Sequence, residues 1–96
     1  YIDDVCEAIN LVLEKGDHNQ IYNIGSGIPV NIGKVIDIAK NILKSKSKIK
    51  YIDAPDFHKI VQSKDFWMDT SKLKSLGFEQ KISLPDGLQI LCDVVK

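Results

Sequence analysis

The sequence predicts an α/β fold in the order helix, strand, helix, strand, loop, helix, helix. Three observations lead there. Apolar residues recur at three-and-four spacing in residues 3–16 and again after Asn31. Two short segments, 20–25 and 48–53, read as strands bounded by turn residues. Near the C-terminal end, cap-type residues precede two further apolar-periodic segments.

Taken in order, residues 3–16 place Val5, Ala8, Ile9, Val12 and Leu13 on one stripe, as an amphipathic helix requires. Asp3 or Asp4 can cap its free amide groups, and Gly16 suits a left-handed stop. Asp17, His18 and Asn19 then form a polar turn, with His18 at the surface. The first strand, 20–25, ends in Gly25-Ser26-Gly27. Ile28 stays out of helix because it precedes Pro29.

Asn31 caps the second helix, whose apolar face is Ile32, Val35, Ile36, Ala39, Ile42 and Leu43. Lys40, Lys44, Lys46 and Lys48 gather at and beyond its C-terminal end, where cations suit the helix dipole; they read as a solvated face. Residues 48–53 alternate as the second strand and stop at Ala54-Pro55. Residues 56–68 have no regular period and read as a loop. Asp69-Thr70-Ser71 then caps a short helix through Leu73 and Leu76 that ends at Gly77. Ser83, with Asp86 three residues on, resembles a capping box for a last helix facing inward through Leu84, Leu88, Leu91, Cys92 and Val95.

A chain of 96 residues forms one small domain. Its 13 basic residues, all lysine, balance 13 acidic ones, which argues against nucleic acid as a partner. No apolar run approaches the roughly 18 residues of a membrane span, so no membrane partner is expected. Cys6 and Cys92 are too few for a disulfide framework, sit on apolar helix faces as small hydrophobes, and suit a reducing, cytoplasmic setting. The start at Tyr1, inside a motif, suggests a piece of a longer chain.

Chemistry-bearing patterns are sparse. Gly25-Ser26-Gly27 lies between a strand and a helix but lacks the third glycine of a dinucleotide fingerprint and the Gly-Lys-Ser/Thr end of a P-loop, so it reads as a turn. There is no nucleophile elbow and no metal-ligand spacing. The irregular 56–68 segment stands apart. There His58, Lys59 and Lys64 offer polar and cationic groups, while Phe57, Phe66 and Trp67 could wall a ligand; Phe66 and Trp67 by themselves read first as core.

Three stretches, in order, resemble one family. Tyr1-Ile2-Asp3-Asp4-Val5 with the Ala8-Ile9 helix, Ile21-Tyr22-Asn23-Ile24-Gly25-Ser26-Gly27, and Asp69-Thr70-Ser71-Lys72-Leu73-Lys74-Ser75-Leu76-Gly77-Phe78 are similar to segments of the NAD-dependent nucleotide-sugar epimerases and dehydratases, which are extended short-chain dehydrogenase/reductases. The Ser83-Leu84 to Leu88 helix start also fits.

The resemblance implies that residues 1–96 are a single C-terminal substrate-binding domain fragment, without the N-terminal Rossmann domain that holds NAD and the Tyr-x-x-x-Lys catalytic pair. Tyr1 does not match that tyrosine, because Val5 stands where the lysine would be. The expectation is a fragment inactive alone, with no catalytic, cofactor or metal residue of its own, that positions a nucleotide-diphosphate sugar for hydride transfer in the absent domain. The family grips the diphosphate with arginines, one of them just ahead of the Asp-x-Ser-Lys signature. Here the corresponding candidates are Lys59 first and Lys64 second, with Gln62 and His58 beside them. Lysine neutralises phosphate as a point charge but lacks the bidentate fork of arginine. The strand at 21–24 would join the edge of the Rossmann sheet, so the isolated chain should be marginal as a monomer or self-associate through that edge. The missing arginines favour a second reading, a non-catalytic α/β interaction module that keeps the fold but not the site.

Overall fold

A computed structural model describes residues 1–61 and 65–95. Among them are five helices: α1 (Ile2–Lys15), α2 (Ile32–Ile42), α3 (Asp56–Val61), α4 (Ser71–Ser75) and α5 (Leu84–Val95). No strand or sheet occurs among the described residues, which corrects the α/β expectation. The alternation at 48–53 and the apolar run at 20–25 are real, but a strand exists only when a neighbour takes its N–H and C=O groups. Neither segment has such a ladder. Residues 20–25 are tied instead by side chains, with Asn23 Nδ2 donating to the Asp69 carbonyl at 3.2 Å and Lys72 Nζ donating to Gln20 Oε1 at 3.0 Å. The described residues thus form no sheet edge of the kind expected at 21–24.

The helix ends divide between expected and unexpected chemistry. Asn31 caps α2 as read, its Oδ1 accepting the Gly33 N–H at 2.8 Å. Ser83 Oγ accepts the Asp86 N–H at 3.2 Å and donates to the Asp86 carboxylate at 2.5 Å, so the capping box opens α5. Gly77, with φ +98°, ends α4 in the left-handed region as anticipated. At α1 the N-cap is Tyr1 and no side chain caps the helix, while Gly16 is extended (φ −68°, ψ 145°). Residues 56–61, read as loop, form the short helix α3, with Asp56 in its first turn and Lys59 in its last.

The core is small. Among the described residues Ala8, Leu73 and Cys92 are the buried hydrophobic side chains, and Leu73 is sealed completely. α2 packs against α5, and Tyr1 at the head of α1 lies over Gly87 of α5, where an added Cβ would meet the Tyr1 ring at 3.4 Å. The molecule is a plate of 48 × 36 × 17 Å with a radius of gyration of 16.8 Å. A compact globule of this length would have about 12 Å. Flatness explains the exposure: a plate 17 Å thick leaves most side chains on one face or the other. Phe66 and Trp67, read as core, are therefore 74% and 55% exposed, and Cys6 faces solvent while Cys92 is buried.

Candidate functional site

Two of the three signature stretches meet. Gly25 lies against Met68, with an added Cβ 3.7 Å from the Met68 Cβ. Gly27 adopts φ +71°, and a Cβ there would stand 2.8 Å from Thr70 Oγ1. Glycine is needed on both counts, the left-handed backbone and the close approach. The turn is thus filled by the chain's own Met68 and Thr70, and α2 begins only at Ile32. Thr70 is 3% exposed and its hydroxyl finds no partner among the described residues.

Beside this junction Asp69 organises the start of α4. Its Oδ1 accepts the Ser71 N–H at 2.9 Å and the Ser71 hydroxyl at 2.7 Å. Those two bonds, the hydroxyl's first, hold the Asp69 carboxyl below the ordinary carboxylate value, with Lys74 adding attraction.

The first stretch is tied through Asp4 to the connector before α5. The two Asp4 oxygens accept the backbone N–H groups of Lys81 and Ile82, each at 3.0 Å. The Lys81 N–H is the main cause that holds this carboxyl below its ordinary value; burial opposes it and the Ile82 N–H assists. The Lys81 ammonium meets Glu7 at 2.9 Å, and that contact raises the lysine. Asp4 was read as a helix cap. It instead joins the head of α1 to the connector before α5.

Behind this clamp lies a cavity of about 380 Å³ between the head of α1, residues 24–35 and α5. Ile24, Val30, Val35, Phe78, Leu88 and Leu91 make it mainly apolar, and Asp4 and Ser83 supply polar atoms. Among the described residues none from 36–77 lines the cavity, so His58 and Lys59 are not part of it. Those two lie on α3. The Lys59 ammonium stands 3.9 Å from Asp56, and the His58 ring meets Phe57 edge-on at 5.9 Å between centroids. Both are exposed. Gln62 and Lys64, the other candidates, lie outside the described residues. Among the described residues no cluster of three or more His, Cys, Asp or Glu side chains could hold a metal ion.

Sequence reasoning missed the cavity. Its walls are brought together from residues some 80 positions apart, such as Asp4 and Ile82, and no local period reports that. The one available signal was the apolar pair Phe78 and Ile82 in a segment read only as a connector.

Comparison with known proteins adds what geometry alone does not. The low-salt glycan biosynthesis protein Agl12 of Haloferax volcanii is 32% identical over 94 residues, covering 97% of this chain and 29% of that protein. The Arabidopsis thaliana trifunctional UDP-glucose 4,6-dehydratase/UDP-4-keto-6-deoxy-D-glucose 3,5-epimerase/UDP-4-keto-L-rhamnose-reductase RHM2 is 32% identical over 98 residues, covering 97% of this chain and 14% of its own length. The chain is homologous to the C-terminal region of nucleotide-sugar short-chain dehydrogenase/reductases. GDP-L-fucose synthase 1 of Arabidopsis thaliana, 33% identical over 88 residues, matches 92% of this chain and 26% of its own length. The chain therefore spans less than a third of the length of these curated relatives. No family model and no solved structure matches it.

Proposed function

We propose that residues 1–96 serve as the C-terminal, substrate-positioning portion of a cytoplasmic nucleotide-sugar epimerase or dehydratase of this family, with NAD and the hydride-transfer chemistry supplied by a separate Rossmann domain. The observation that carries this reading is the match itself: relatives named for UDP-sugar and GDP-fucose conversions align over 92–97% of the chain. The meeting of the Gly25–Gly27 turn with Met68 and Thr70 supports it, because the family-like motifs build one local structure. In this role the chain holds the diphosphate so that the sugar faces the nicotinamide, which is catalysis by orientation. Lys59 is the first candidate for the phosphate contact. It sits exposed on α3 with only the long contact to Asp56 to break.

In the full-length enzyme, Lys59→Ala should raise KM for the nucleotide sugar and leave kcat little changed. An unchanged KM removes Lys59 from the site. The second reading, a non-catalytic interaction module, draws on the absence of arginine from the whole chain. A full-length protein that neither binds NAD nor turns over any UDP-, dTDP- or GDP-sugar would decide for that module.

A further inference from the structure

We draw no further inference here: the strongest candidate, the mainly apolar cavity of about 380 Å³ between the head of α1, residues 24–35 and α5, carries none, because nothing in the structure shows what covers it.

Discussion

The Asp4 carboxylate accepts the Ile82 backbone N–H at 3.0 Å, and this bond with its Lys81 neighbour fastens the first helix to the last. Nothing else among the described hydrogen bonds joins the head of α1 to the segment before α5 through a buried side chain. Asp4→Ala should therefore lower the melting temperature, since it leaves two backbone donors without their acceptor. Asp4→Asn should lower it less, because one carbonyl oxygen remains.

The same pair sets an acid limit. Folding lowers the Asp4 carboxyl below its ordinary value of 3.8, so its contribution is fully present above that pH. As pH falls from 3.8 toward the lowered folded value, the carboxylate protonates and the contribution disappears. Melting curves of native and Asp4→Asn chains should thus differ at neutral pH and converge on acidification below this point. Parallel curves at all pH values would show that the clamp contributes through packing rather than charge.

Among the described residues Leu73 is the one large side chain fully sealed from solvent. Leu73→Ala should cost about 2–5 kcal/mol, enough to unfold a domain with so few buried residues. Urea titration followed by circular dichroism measures it.

Gly27 and Thr70 should couple. Gly27→Ala places a Cβ in the left-handed region, which costs about 1–2 kcal/mol, and within 2.8 Å of Thr70 Oγ1. In a Thr70→Ala background the steric part is relieved, so a double-mutant cycle should give a favourable interaction energy. Thr70→Val alone should be neutral or stabilising, because the hydroxyl it removes is buried without a partner.

Ser83→Ala removes the acceptor for the Asp86 N–H at the start of α5. A loss of about 1 kcal/mol is expected. It should appear as a fall in the denaturation midpoint with an unchanged slope.

Helix caps and stops were legible where a local pattern carried them. Asn31, the Ser83–Asp86 pair and Gly77 act within three residues of their partners, and the chain's own chemistry suffices. The strands at 20–25 and 48–53 were misread because alternation describes side-chain polarity, whereas a strand is made by a neighbour's backbone. The role of Asp4 was misread for a related reason. An aspartate at a helix start has a local use as a cap, and a partner 77 residues away leaves no mark on the sequence around it. Of the candidate site, His58 and Lys59 were placed at the surface on α3 and not at the cavity.

By itself the sequence determined the family resemblance, the helical periodicity of α1, α2 and α5, and the absence of arginine from the chain. These are properties of residue identity and short spacing. The tertiary structure alone decided that the extended segments stay unpaired, that Asp4 clamps Lys81 and Ile82, and that Gly25 and Gly27 are filled from Met68 and Thr70. Each of these depends on which distant backbone or side chain arrives within a few ångströms, and contact between distant residues is set by packing, not by local pattern.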